Sequence, residues 1–227
     1  MRRNNYIAND DNNVFWVTMS DLMLGLAIIF ITMFVLAMTG FTQEKISQQQ
    51  VKMDAAEKIE QALQKNNINA SVNKYTADLK ISDVDLFEIN SYVLSDRGKK
   101  LLDKLAPIYI NTIFSDKELS VDIQNIIIQG HTDSQTFAGL NSKEDQFIKN
   151  MDLSLKRANA VAEYMIKTNY NKKYSSQLQK AIIVQGKSYN EPILVNGKED
   201  YNKSRRVELK LKINSNDVTK ALGIIKE

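Results

Sequence analysis

The sequence predicts a single membrane-spanning helix joined to an α+β domain, with helices packed on one face of a mixed sheet. Two observations carry this reading. Residues 14–39, VFWVTMSDLMLGLAIIFITMFVLAMT, form one apolar stretch in which Asp21 is the sole charge. Beyond it, short apolar runs of strand period alternate with helical patterns in the order β-β-α-β-α-β.

The length of 227 residues fits one folded domain plus appendages. The net charge is +3, and Lys is interspersed with Asp and Glu. No basic stripe forms, which argues against a nucleic-acid partner. The chain has no cysteine, so disulfides and thiolate metal sites are excluded.

Residues 1–13 are polar and rich in Asn and Asp, the composition of a cytoplasmic tail. The span over 14–39 follows. From Phe15 to Met38, at about 1.5 Å per residue, the helix is long enough to cross a hydrocarbon core of about 30 Å. Phe15 and Trp16 stand where an aromatic belt would lie. The stretch is long for a signal-peptide core, carries Asp21 and precedes no small-x-small cleavage site, so an uncleaved single span is expected. A short N-terminal tail favours an N-terminus in the cytoplasm and a domain outside the inner membrane, in a periplasm.

Asp21 is the most informative residue. A charge within a span costs about 2.5–3.5 kcal/mol on insertion scales, so it faces protein or water and often serves ion chemistry. On its heptad stripe lie Thr18, Gly25, Ile28, Thr32, Val35 and Thr39. Small and hydroxyl side chains on one face suggest helix–helix contact. Thr18, Ser20 and Thr32 are candidates to line an ion path beside Asp21. The alternative is that Asp21 is an N-cap and that the span begins at Leu22.

Residues 40–67 read as a juxtamembrane helical linker. Val51, Ala55, Ile59, Ala62 and Leu63 recur at helical period, either in a continuation of the membrane helix or in a separate helix that packs on a partner. Within it, residues 43–66 are expected to serve either as a plain spacer or as a plug that holds an ion path shut. The folded domain covers 68–215 and a tail covers 216–227. Strands are expected near Ile68–Val72 and Ala77–Ser82, with a turn at Asn73-Lys74. Ser95 caps a helix whose apolar face carries Leu101, Leu102, Leu105, Ile108 and Tyr109. Ile123–Gln129 is a buried-strand run ended by Gly130. A polar loop then leads to a helix over Leu153–Tyr170, with Leu155, Ala158, Val161, Ala162 and Met165 on its apolar side. Ala181–Gln185 is a further strand. In Val207–Ile213, apolar residues alternate with charged ones, the pattern of a strand with one wet face.

The motifs GHTD at 130–133, Asn150, Leu153-Ser154, Arg157-Ala158 with Val161, and SRRVELK at 204–210 together resemble the OmpA-like peptidoglycan-binding family. DLFEIN at 85–90 adds a weaker match. The resemblance implies recognition of a diaminopimelate stem peptide. Asp133 would take the ligand's ammonium group and Arg157 its carboxylate, with Asn150 and Arg206 shaping or flanking the pocket. The chemistry stands independently, because a zwitterion needs a carboxylate and a guanidinium, and Arg grips carboxylates bidentately. The chain departs from the family pattern in an insertion around 136–148. His131, the only histidine, has no Cys or His companion and reads as structural; no metal site is expected.

A span with an embedded Asp before such a domain resembles the MotB-type stator subunits, whose aspartate carries the transported ion. The form F-W-x-x-x-x-D-L-M at 15–23 and the short segment before the domain look closer to the ZorB-type subunits of Zorya anti-phage systems. The resemblance implies a non-enzymatic homodimer inside a ring of MotA- or ZorA-like multi-spanning subunits, anchored to peptidoglycan. It implies no cofactor beyond the transported H+ or Na+. A flagellar stator subunit and a passive wall anchor are the alternatives.

Overall fold

The computed structural model describes residues 10–68, 70–88, 91–140 and 142–214. The chain divides between Ile46 and Ser47 into two compact units. The helix α1 (Asp10–Lys65) contributes to both. Its first part, through Ile46, exposes its apolar side chains throughout, from Phe15 and Trp16 to Phe41 and Ile46. Among the described residues this is the one helix long and apolar enough to cross a membrane.

The second part of α1 behaves differently. Ala55, Ala56, Ile59 and Leu63 are at most 1% exposed and belong to the core of the second unit. Lys58 pairs with Asp116, and Gln49 Nε2 donates to Tyr75 O at 2.7 Å. The stripe read at Val51, Ala55, Ile59 and Leu63 therefore packs on the chain's own domain.

Among the described residues five strands make the main sheet, in the order β1-β2-β7-β3-β4. They are β1 (Ser71–Val72), β2 (Leu79–Ser82), β3 (Ile123–His131), β4 (Ile182–Gly186) and β7 (Arg206–Ile213). All neighbours are antiparallel except β3 and β4, so the sheet is mixed. The register Leu79↔Leu209↔Ile128 and Ile81↔Val207↔Gly130 aligns one apolar face. Against it pack α3 (Asp96–Ser115), through Leu102, Leu105, Tyr109 and Ile113, and α5 (Lys143–Lys167), through Ala158, Val161, Ala162 and Met165. Ser95 caps α3 as its sequence predicts, its Oγ accepting from Gly98 N at 3.0 Å.

The smaller elements are α2 (Asp83–Leu86), α4 (Lys117–Asp122), α6 (Ser175–Ala181), the hairpin of β5 (Leu194–Val195) and β6 (Lys198–Glu199), and α7 (Tyr201–Ser204). The hairpin turns at Asn196-Gly197, where both residues have positive φ. That is the two-residue turn most compatible with strand twist.

Three expectations are revised. Leu155, read on the apolar side of its helix, is 45% exposed. α5 begins at Lys143, ten residues before the predicted start at Leu153. Ser142 caps it by accepting from Asp145 N at 3.2 Å, so much of the polar "loop" is helix. The wet face predicted for Val207–Ile213 is wet only toward its end. Arg206 and Glu208 are buried, while Lys210 is half-buried and Lys212 exposed.

Candidate functional site

The site forms at the sheet end where β2 and β3 finish and β7 starts. Ser82 and His131 both lie opposite Arg206 in register, so the residues that follow the two strands and precede β7 converge there. Asp83, Thr132, Asp133 and Arg205 occupy these positions. The helix α5 completes the site because two glycines admit it. A Cβ at Gly130 would lie 2.0 Å from Ser154 O, and one at Gly186 would lie 2.8 Å from Ser154 Oγ and Leu155 N. These residues are register neighbours on β3 and β4, so α5 sits directly on both strand ends. Asn150 and Arg157 flank Ser154 about one turn away on the same helix face. The loop after β4 braces the far side: Thr132 N donates to Ser188 O at 3.0 Å, and Ser188 N donates to Ser154 Oγ at 3.1 Å.

The result is a cavity of about 650 Å³ lined by Asp83, Asp133, Asn150, Arg157 and Arg205, with Phe87 and Phe137 among its apolar walls. Its charges are paired. Arg157 Nη1 lies 3.1 Å from Asp83 Oδ1, and Arg205 Nη1 pairs with Asp133 Oδ2. Arg157 Nε also donates to Ser91 O at 2.8 Å, and its guanidinium lies 5.4 Å from the Phe87 ring centre. Burial pushes Asp83 up to about 6, against the pull of Arg157 and Arg205. Burial likewise lowers Arg157, with Asp83 acting in the opposite direction. The Thr132 hydroxyl is buried, lines the cavity and lacks a hydrogen-bond partner among the described residues. Two carboxylates and two guanidinium groups leave the cavity neutral overall, which suits a ligand that brings one charge of each sign.

The insertion does not separate the predicted residues. Gln146 folds it back on itself: its Oε1 accepts from Phe137 N at 2.7 Å, and its Nε2 donates to Leu140 O at 2.8 Å. Asp133, Asn150 and Arg157 thus line one cavity. Arg206 does not. Its Nε bonds Glu208 Oε1 at 2.6 Å, and its Nη1 bonds Glu191 O at 3.1 Å. Strand parity explains this, because Arg206 shares a sheet face with Glu208 and Gln129, opposite to Val207 and Leu209. Arg205, one residue earlier, takes the position at the cavity. Asp83 was missed as well; it follows a strand that reads as a core element, and no local motif marks it.

His131 is buried with its Nδ1 4.0 Å from Glu191 Oε2 and its Nε2 3.6 Å from Glu208 Oε2. These three residues could supply ligand atoms to a metal ion. Their carboxylates, however, already face Arg206, Lys210 at 3.0 Å and Lys187 at 3.1 Å. A divalent cation would have to enter against those positive charges, so the chemistry reads as a structural charge cluster.

In the other unit, Asp21 lies well inside α1, which starts at Asp10, so it is not an N-cap. Thr18 and Thr32 donate to backbone carbonyls at 2.9 Å, as does Ser20 at 2.8 Å. Their protons are satisfied within the helix and their oxygen lone pairs remain available as acceptors.

Residues 86–206 match the OmpA family. The Zorya protein ZorB of Escherichia coli strain ATCC 8739 is 30% identical over 217 residues, which cover 91% of each chain. The Zorya protein ZorB of Escherichia coli O139:H28 is 24% identical over 90% of this chain and 82% of that one. The crystal structure of a putative MotB-like protein from Desulfovibrio vulgaris superposes with a TM-score of 0.51 at 19% identity, over 74% of this chain and 95% of that one, and shares the fold. A mixed-sheet OmpA domain behind an apolar helix, matched over nine tenths of the chain, places this protein in the ZorB family.

Proposed function

We propose that this chain is the ion-carrying, wall-anchored subunit of a two-component membrane motor used in anti-phage defence. The observation that carries the proposal is the pairing, on one chain, of a lone carboxylate in an exposed apolar helix with a charge-balanced cavity in an OmpA-family domain. The chain crosses the inner membrane once, with its N-terminus in the cytoplasm and its domain in the periplasm. Two copies pair through α1 inside a ring of MotA- or ZorA-like multi-spanning subunits. The domain holds peptidoglycan: Asp133 meets the ammonium group and Arg157 the carboxylate of a diaminopimelate residue, beside Asn150.

Mechanistically, Asp21 alternates between neutral and charged states as H+ or Na+ crosses at the ring interface. A charged carboxylate is costly against an apolar neighbour and favourable beside a polar one, so each change of state shifts the preferred contact. With the domain fixed to the wall, the ring turns. Thr18, Ser20 and Thr32 would contribute oxygen atoms if the ion is Na+. None of this calls for a catalytic residue.

The test is purification of the complex in mild detergent from its own operon, followed by intact-mass measurement and phage challenge of Asp21→Asn cells. Expected are two copies with a multi-spanning partner, and loss of protection in Asp21→Asn with assembly retained. Recovery of the chain alone, or full protection with Asn at 21, overturns the motor reading and leaves a passive wall anchor. A swimming defect on deletion with no change in phage sensitivity points instead to a flagellar stator.

A further inference from the structure

Asp83 lines the cavity beside the residues proposed to hold the ligand. It follows β2 directly and is 3% exposed. The charged groups facing it are Arg157 from α5, Arg205 from the end of α7, and Asp133 from beyond β3. Asp83 Oδ1 stands 3.1 Å from Arg157 Nη1 yet makes no aligned hydrogen bond. The Arg157 guanidinium thus has three neighbours: Ser91 O at Nε, Asp83 at Nη1, and the Phe87 ring with its centre 5.4 Å from Cζ. Because Nε is committed to Ser91, a ligand carboxylate that seeks a two-pronged grip must use the Nη1–Nη2 edge. Asp83 stands against Nη1, at one end of that edge.

We propose that Asp83 is a positioning residue that keeps Arg157 oriented in the unliganded site and yields the guanidinium to a ligand carboxylate by taking up a proton. The inference rests on the cavity being the peptidoglycan site. In the exchange, a proton from solvent binds the Asp83 carboxylate, the Asp83–Arg157 ion pair is lost, and the ligand carboxylate forms the new pair. Two carboxylates would otherwise crowd one buried guanidinium, and like charges at that distance in a poorly solvated site raise the affinity of one of them for a proton. Burial already favours the neutral form of Asp83, so the group is poised to titrate just below neutrality. Binding and proton uptake are then linked, and wall affinity rises as the medium acidifies.

The experiment uses the full-length chain in detergent with two probes: purified diaminopimelate-type sacculi for co-sedimentation, and a soluble diaminopimelate muropeptide for calorimetry. Between pH 7.5 and pH 5.5, wild-type affinity rises on the order of tenfold if one proton is taken up. Asp83→Asn, neutral at every pH, binds with the acid-form affinity and a flat profile. Calorimetry of the wild type near pH 6.5, in two buffers of different ionisation enthalpy, shows net proton uptake; it does not depend on the variant folding. Wild-type binding with no proton uptake overturns the inference, as does an Asp83→Asn profile parallel to that of the wild type. An Asp133→Ala control separates the two readings. If it binds sacculi as tightly as wild type, the cavity is not the wall site. If it loses binding while wild type shows no proton linkage, the Asp83 inference alone fails.

Discussion

The two parts of α1 place the same kinds of residue under opposite conditions. Before Ile46, the apolar side chains point outward and Asp21 has no ion pair or hydrogen bond among the described residues. After Ser47, Ile59 and Leu63 point into a packed core, and the domain's buried charges come in pairs: Asp83 with Arg157, Asp133 with Arg205, Glu208 with Arg206. A folded domain in water balances its buried charges internally because an uncompensated one is costly. Within the proposed membrane span, a carboxylate exposed among apolar side chains would find its balance in a partner or an ion. On the proposed function the first region depends on another molecule, whereas the second is stabilised by its own packing and ion pairs.

The comparison can be broken most directly through charge. Removing Arg157 by substitution with Ala strands Asp83 in a buried site and should cost about 3–5 kcal/mol of domain stability. Asp21→Asn should leave the same unfolding transition unmoved. Chemical denaturation of both variants checks this, and a shift in Asp21→Asn would mean that the membrane region is coupled to domain folding.

A second test concerns apolar packing. Ile59→Ala removes a core side chain that is 1% exposed and should cost about 3 kcal/mol. Ile29→Ala, in the exposed part of α1, should not change the domain transition. Equal effects would erase the distinction between the two parts of the helix. The buried stripe also bears on residues 43–66 as a plug: the apolar face that a plug would lay on the membrane is spent inside the domain.

A smaller effect is expected at the seat of α5. Gly130→Ala places a methyl group against the Ser154 carbonyl, which is backbone and cannot swing away. It should cost about 1–3 kcal/mol and weaken sacculus binding, since Asn150 and Arg157 ride on the displaced helix. Wild-type stability and binding in this variant would show that α5 tolerates a shift.

The smallest effect is on the acid limb of stability. Burial would raise Glu208, but His131, Arg206 and Lys210 outweigh it and hold the carboxyl well below its ordinary 4.5. A depressed carboxylate stabilises the fold above its unfolded value and loses that contribution as pH falls below about 4.5. Glu208→Gln should therefore give a shallower loss of stability on acidification, read from thermal unfolding between pH 5 and pH 3. An unchanged acid limb would show that other carboxylates dominate it.

Much of this protein was legible in its sequence because the signals are local. An apolar run with one carboxylate marks the span through solvation alone. Periodicity located β2, β3, β4, β7 and α3, and Ser95 announced its cap. Asp133, Asn150 and Arg157 stood out because a motif marks them. The Asn196-Gly197 turn was equally local and could have been read. What the tertiary structure decided is pairing and parity. Arg205 rather than Arg206 reaches the cavity because alternate strand residues face opposite sides of the sheet, and the register of β7 fixes which is which. Asp83 meets Arg157 across a long stretch of sequence, and the stripe of α1 could equally have served a partner. Sequence carries side-chain chemistry and local period; only the packed chain determines which distant groups share a site, because burial makes their mutual charge balance a condition of folding.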